Sequence, residues 1–169
     1  MKKILIVVAM ENFRDEEYEE PRGVFEQAGL EVKVAGERAG DAYGKMGAKA
    51  WVDMPFSDVN LENFDAVVFV GGTGSQHYFH DEEALNLARE AMQAKKLLAA
   101  ICIAPTILAN AGVLQGKRVT AFESEKDNLE AKGATFTGNP VEMDDSIITA
   151  KGPEVATEFG EKIVDALNQ

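Results

Sequence analysis

The chain is poor in cysteine, histidine and long apolar segments, and each shortage excludes a class of protein. It contains one cysteine and two histidines, and none of its apolar runs reaches the roughly 18 residues that a spanning helix needs. A single cysteine forms no internal disulfide, which favours a reducing compartment. The distant positions of cysteine and histidine match no zinc-ligand spacing. We therefore expect no metal, no cofactor and no membrane partner.

Basic residues are also scarce relative to acidic ones. The 169 residues include 17 Lys or Arg and 29 Asp or Glu, which gives a formal net charge of -12. Nucleic-acid binding depends on basic surface, so we expect no nucleic-acid partner. The length and the 46% hydrophobic content predict one globular domain over residues 1–169. The apolar segment after Lys3 ends at Glu11 without a small-residue cleavage site, so we predict a first strand and a cytoplasmic protein.

Short apolar runs alternate with amphipathic segments along the chain. The runs at 4–9, 66–70 and 97–103 are typical of strands that are buried on both faces. Further strands are predicted at 31–35, 118–122, 134–137, 141–143 and 146–150. One helix is predicted to end near residue 28 and another to begin at residue 153, and further helices are predicted at 81–93, 104–110 and 125–132. Residues 10–15 are predicted as a loop, and residues 36–54 as a hairpin or irregular excursion. This order predicts an α/β domain with a mostly parallel sheet, in which sites lie beyond the carboxyl ends of the strands.

The single cysteine, Cys102, lies where a predicted strand meets a predicted helix. Small residues, Ala100 and Ala104, occupy both second-neighbour positions. A tight strand-to-helix turn requires small residues there, as in the nucleophile elbow of serine hydrolases. The amides at the start of the helix would favour a thiolate. The alternative, a buried structural cysteine, stays open from this stretch alone, because free cysteines are commonly buried.

One acidic residue in the first predicted helix points in an unexpected direction. At about 100° per residue, Glu17 shares a face with the apolar side chains that should pack on the sheet. A carboxylate in that position is unfavourable unless it has a partner or is protonated. The alternative is a partly solvated acid near the helix N-terminus. The direction of Glu17 favours the buried interpretation.

The pair Gly71-Gly72 follows the predicted strand at 66–70. Glycines there allow a sharp turn that exposes backbone N–H groups, although their spacing fits neither a Walker loop nor a dinucleotide fingerprint. We predict one donor of an anion hole beside Cys102. His77 and His80 follow in a loop, where exposed or capping roles are the usual ones. His77 is nearer the glycines and is the candidate accessory residue.

Four segments together resemble the DJ-1/PfpI superfamily over nearly the whole chain. They are FRDEE at 13–17 with Pro21, VFVGG at 68–72, AAICIAP at 99–105 and ITAKGP at 148–153. The resemblance implies a flavodoxin-like three-layer sandwich that forms homodimers or larger homo-oligomers. It also implies that Cys102 is the elbow nucleophile, that Glu17 is the buried acid bonded to the thiol, and that Gly72 and Ile103 supply backbone donors to the oxyanion.

The sequence departs from the peptidase members that it resembles at one position. Those members carry a histidine directly after the cysteine, where this chain has Ile103. DJ-1-like members also have a histidine near the thiol on the strand after the elbow, and the corresponding region here, Ala121-Phe122-Glu123, has none. We therefore predict cofactor-independent glyoxalase- or deglycase-type chemistry on a small reactive carbonyl substrate. The alternative is a redox-sensing or chaperone-like stress protein oxidised at Cys102. A cysteine peptidase would have to recruit His77 or a residue of another subunit.

Overall fold

A seven-stranded sheet lies at the centre of the structure, a computed structural model that describes residues 1–169. The strands are β1 (Lys3–Val7), β2 (Glu11–Phe13), β3 (Glu31–Gly36), β4 (Gly40–Gly44), β5 (Lys49–Val52), β6 (Met54–Pro55), β7 (Ala66–Phe69), β8 (Leu97–Ile101), β9 (Arg118–Val119), β10 (Thr135–Phe136), β11 (Val141–Asp144) and β12 (Ile147–Ala150). The helices are α1 (Asp15–Gln27), α2 (Glu82–Gln93), α3 (Pro105–Asn110), α4 (Lys126–Ala131) and α5 (Ala156–Leu167). None of them combines the length and apolar character needed to span a membrane.

The strand order of the central sheet is β11-β12-β8-β7-β1-β3-β6, and only the edge strand β11 runs antiparallel to its neighbour. The predicted α/β class with a mostly parallel sheet is therefore confirmed. Alternate residues of each strand enter separate cores, as the two-residue period of a strand requires. Ile4 and Ile6 pack with residues of α1 and α5, whereas Leu5 and Val7 pack with residues of α2, α3 and α4. Two helical layers thus cover the sheet.

The two helices on one face approach each other closely at Gly160. A Cβ built on Gly160 would lie 2.9 Å from the Cα of Pro21. Pro21 lies inside α1 rather than at its start. This close contact packs α1, the helix that carries Glu17, directly against α5.

The structure differs from the prediction in two regions. Part of the predicted loop at 10–15 forms β2, which pairs with β4 of the hairpin at 40–52. The carboxylate of Asp15 accepts the N–H groups of Met46 at 3.0 Å and Ala48 at 2.8 Å, so long-range contacts stabilise this small sheet. The strands predicted at 118–122 and 134–137 shrink to two residues each and form a separate sheet. Left-handed turns at Gly133 and Gly138 limit β10 on both sides.

The register brings the carboxyl ends of the central strands to one edge. Phe69 is paired with Val7 on one side and with Ala100 on the other, and Ala150 is paired with Ile101. Because parallel strands in register end together, the residues that follow them meet at this edge. Gly71, Gly72 and Cys102 are therefore neighbours in space although some 30 residues separate the glycines from the cysteine.

Candidate functional site

Cys102 directly follows β8 and has a left-handed backbone conformation, with φ of 65°. Its N–H donates to the carbonyl oxygen of Ala150 at 2.9 Å, and its own carbonyl oxygen accepts the N–H of Phe122 at 2.8 Å. The side chain is partly exposed. Non-glycine residues rarely adopt this conformation, and it costs on the order of 1 kcal/mol. The surrounding backbone thus holds the thiol at a strained turn between strand and helix.

Glu17 and Cys102 meet over Gly71. Glu17 is 0% exposed, as the direction of its side chain on the predicted helix indicates. A Cβ built on Gly71 would lie 2.5 Å from Oε1 of Glu17 and 2.8 Å from Cβ of Cys102. It would also lie 2.6 Å from the carbonyl oxygen of Ile101. Only glycine fits at position 71. Because glycine has no side chain, there is room for the carboxyl group of Glu17 beside the thiol of Cys102.

Gly72 and Ile103 present backbone N–H groups to the sulfur. Both amides lower the pKa of the Cys102 thiol, because they donate hydrogen bonds to its charged form. Gly72 has φ of 98°, and a Cβ there would contact the backbone of Asn12 and Arg14. The structure thus brings the two predicted amide donors to the predicted nucleophile.

The carboxyl group of Glu17 is held in an environment that favours its neutral form. Burial raises its pKa from 4.5 to about 8, and the Cys102 thiol, the Arg14 charge and the Gly71 amide oppose this rise only in part. Neither carboxyl oxygen makes a hydrogen bond of standard length and angle within the chain. Glu17 is therefore largely protonated at neutral pH and can donate or accept a proton close to pH 8.

Burial also raises the pKa of Cys102, and the carboxylate of Glu17 raises it further. This direction is opposite to the lowered thiol pKa that the helix N-terminus alone would predict. The second cause disappears when Glu17 is protonated, because the neutral acid carries no charge and can donate to the sulfur. Both groups are therefore favoured in their neutral forms at neutral pH, and ionisation of one opposes ionisation of the other.

The structure does not bring His77 to the thiol. Its Nε2 lies 2.9 Å from Oε2 of Glu37, and the side chain is 65% exposed. No hydrogen bond joins His77 or His80 to Cys102. The accessory role considered for His77 therefore has no contact in the chain that would support it.

Sequence reasoning overlooked two residues of this site. Gly71 was recognised as half of a glycine pair, but only the structure shows that it separates Glu17 from Cys102. Arg14 was recognised only as part of a motif, and its guanidinium acts electrostatically on both groups. The position of Arg14 directly before α1, three residues before Glu17, was the available indication.

We expect the Glu17→Gln variant to have a flatter dependence of folding stability on pH. Because the pKa of Glu17 is raised in the folded state, the unfolded chain releases this proton at lower pH. The stability of the native chain should therefore fall from about pH 4.5 towards pH 8, by up to about 1.4 kcal/mol per pH unit, relative to the variant. Urea unfolding at several pH values measures the difference.

The matched control is Glu19→Gln, which makes the same substitution at an exposed position of α1. Its pH profile should parallel that of the native chain. Parallel profiles for the Glu17 variant as well would contradict the raised pKa.

The fold and this site together define an α/β protein with a cysteine at a strand-to-helix turn and a buried acid beside it.

The chain belongs to the DJ-1/PfpI family, whose family model matches residues 2–166. It is 37% identical to an uncharacterised protein of Methanocaldococcus jannaschii, over 99% of this chain and 83% of that protein. Among solved structures it is similar to a ThiJ/PfpI domain protein from Brachyspira murdochii, with a TM-score of 0.97 and 36% identity over 98% of this chain and 96% of the other. The predicted family is confirmed.

Three further relatives carry names that refer to activity or physiology. A deglycase of Pyrococcus horikoshii is 34% identical over 89% of this chain and 90% of its own. YraA of Bacillus subtilis, named as a proposed cysteine protease, is 30% identical over 99% of both chains. General stress protein 18 of the same organism is 31% identical over the full length of both. These names describe the relatives and differ from one another.

Proposed function

We propose that the protein is an enzyme that converts small reactive aldehydes, with Cys102 as nucleophile and Glu17 as general acid and base. The observation that carries the proposal is the meeting of thiol and buried acid over Gly71. A carboxyl group with a pKa of about 8 is suited to proton transfer near neutral pH. The name of the Pyrococcus relative, a deglycase, is consistent with chemistry of this kind.

The chemistry balances without an external cofactor for methylglyoxal as substrate. The Cys102 sulfur bonds to the aldehyde carbon while the protonated Glu17 gives its proton to the carbonyl oxygen and takes the thiol proton in exchange, so that a hemithioacetal forms and Glu17 is again protonated. The carboxylate form of Glu17, which is populated close to pH 8, then takes the C1 proton and returns it to C2. The hydroxyl proton on the C1 oxygen passes through solvent to the C2 oxygen, which gives a 2-hydroxy thioester. Water hydrolyses this thioester to lactate and restores the thiol. The amides of Gly72 and Ile103 are placed to stabilise the developing oxyanion.

The deciding experiment measures lactate formed from methylglyoxal by the purified chain. Formation that depends on Cys102 and Glu17 would support the proposal, and no cysteine-dependent lactate would contradict it. Because Cys102 is the only cysteine in the sequence, its thiol can be titrated in the same sample. The titration distinguishes an inactive enzyme from one whose thiol was already oxidised.

A second candidate function is peroxide sensing at the same thiol. Its support is the partial exposure of Cys102 together with amide donors that would hold an oxidised sulfur, and one relative is named a general stress protein. Two molecules of hydrogen peroxide would oxidise the thiol to a sulfinate and be reduced to two molecules of water. Both candidates use the same atoms, so only experiment separates them.

After mild peroxide treatment, we expect mass spectrometry to find two added oxygen atoms on Cys102 before the methionines are modified. The expected order follows from the two amides that donate to the sulfur, because they stabilise the thiolate that reacts with peroxide. Met46, which is 74% exposed, serves as the internal control for methionine oxidation. Oxidation of Met46 before Cys102 would contradict the sensing role.

The name of YraA raises a third candidate, cysteine peptidase activity. Such activity usually pairs the cysteine with a histidine as base. Within this chain His77 hydrogen-bonds to Glu37, and no histidine hydrogen-bonds to Cys102. A peptidase would thus need a histidine from a neighbouring subunit, and we place this function behind the other two.

A further inference from the structure

The backbone of Arg14 is built into the wall of the candidate site. Its N–H donates to the carbonyl oxygen of Gly71 at 3.0 Å, and its own carbonyl oxygen accepts the N–H of Glu17 at 3.1 Å. A Cβ on Gly72 would contact the nitrogen of Arg14. Arg14 therefore lies between the glycine turn and the helix that carries the buried acid. A shift of the Arg14 backbone would therefore displace both the glycine turn and the start of the helix that carries Glu17.

The side chain of Arg14 carries a positive charge that is partly exposed to solvent and paired with Glu16. Nε and Nη2 lie 3.0 Å and 2.8 Å from the same oxygen of Glu16, and the Arg14 side chain is 38% exposed. Its charge acts on both Glu17 and Cys102. In a chain whose net charge is -12, a cation whose charge acts on the thiol opposes the general repulsion of anions.

We infer that Arg14 is a specificity-determining residue that favours anionic electrophiles at Cys102 over neutral ones of the same size. The favoured class comprises aldehydes and 2-oxo aldehydes that carry a carboxylate. Glu16 weakens the preference because it neutralises part of the guanidinium charge when no anion is bound. The inference rests on the reactive Cys102 of the proposed function but does not require turnover of methylglyoxal.

Two alkylating reagents of nearly equal size test the inference directly. In both reactions the Cys102 sulfur bonds to the methylene carbon, iodide leaves with the electron pair of the carbon–iodine bond, and the thiol proton passes to solvent. Iodoacetate carries a negative charge and iodoacetamide carries none. The ratio of their second-order rates at low salt therefore reports the local electrostatic preference, and the single cysteine makes the modified site unambiguous.

We expect Arg14→Gln to lower the iodoacetate-to-iodoacetamide rate ratio by about three- to tenfold and Glu16→Gln to raise it by a similar factor. Arg14→Lys should retain part of the preference, because the charge is kept while the forked geometry is lost. The matched control is Arg22→Gln. Arg22 pairs with Glu26 on the same helix, at 3.1 Å, and should leave the ratio unchanged. Raising the salt concentration should reduce the differences.

Equal ratios for the native chain, Arg14→Gln and Arg22→Gln would overturn the inference. A parallel fall of both rates in Arg14→Gln would also overturn it, because the residue would then position the thiol without selecting charge. Should Arg14→Gln fail to fold, the Glu16→Gln variant keeps Arg14 intact, and an unchanged ratio there would contradict the inference. Normal iodoacetamide reactivity without lactate formation would instead count against the proposed enzyme activity alone.

Discussion

Replacing Cys102 with alanine is expected to reduce lactate formation from methylglyoxal by at least about a thousandfold, to the rate in buffer. The sulfur is the atom that bonds to the aldehyde carbon, so the proposed route has no first step without it. The chain offers no second cysteine to take over this role. Lactate measured over time, at equal concentrations of folded protein, checks the expectation.

Glu17→Gln should also be strongly impaired, by about 10²–10⁴-fold, because glutamine cannot exchange the proton. Glu19→Gln, on the exposed side of the same helix, should keep native activity. Comparable lactate formation by the Cys102→Ala variant and the native chain would remove Cys102 from the mechanism. Circular dichroism of each variant shows whether a loss of activity reflects chemistry or unfolding.

Replacing Gly71 with alanine is expected to destabilise the fold by about 1–3 kcal/mol and to impair the site as well. The new methyl group would lie 2.5 Å from Oε1 of Glu17 and 2.6 Å from the carbonyl oxygen of Ile101. A backbone oxygen cannot move aside cheaply, so the strain would be relieved by displacing Glu17 or by opening the sheet edge. Urea unfolding measures the first effect, and the alkylation rate of Cys102 measures the second.

Gly23→Ala is the matched control for this substitution. Gly23 is exposed in the interior of α1, and a Cβ there meets no atom within 4 Å. Alanine should therefore stabilise the protein by about 0.5–1 kcal/mol, since glycine disfavours the helix. If Gly71→Ala kept native stability and native thiol reactivity, the missing side chain at position 71 would not be needed to hold Glu17 beside Cys102.

Several parts of this arrangement were predictable because they depend on local patterns. The burial of Glu17 follows from its direction among the apolar residues of α1. The turn at Cys102 follows from an apolar run that ends beside small residues and Pro105. The central strands β1, β7 and β8 are buried on both faces, so a continuous apolar run is enough to identify them.

Other parts depend on contacts that no local pattern records. β2 exists because residues far along the chain form the hairpin with which it pairs, and Asp15 fixes that hairpin through the amides of Met46 and Ala48. The direction of the Cys102 pKa depends on the total burial of the site, which outweighs the local amides. The partner of His77 is Glu37, 40 positions earlier in the chain, and sequence proximity to the glycines gave no indication of it.

The left-handed backbone at Cys102 has a practical consequence for protein engineering. Glycine is the residue best suited to that conformation, so a library selected only for resistance to heat or denaturant is expected to enrich glycine at this position. Such a selection would discard the reactive sulfur while appearing to improve the molecule. A selection for more stable variants of this chain must therefore also measure the reactivity of the thiol in every round.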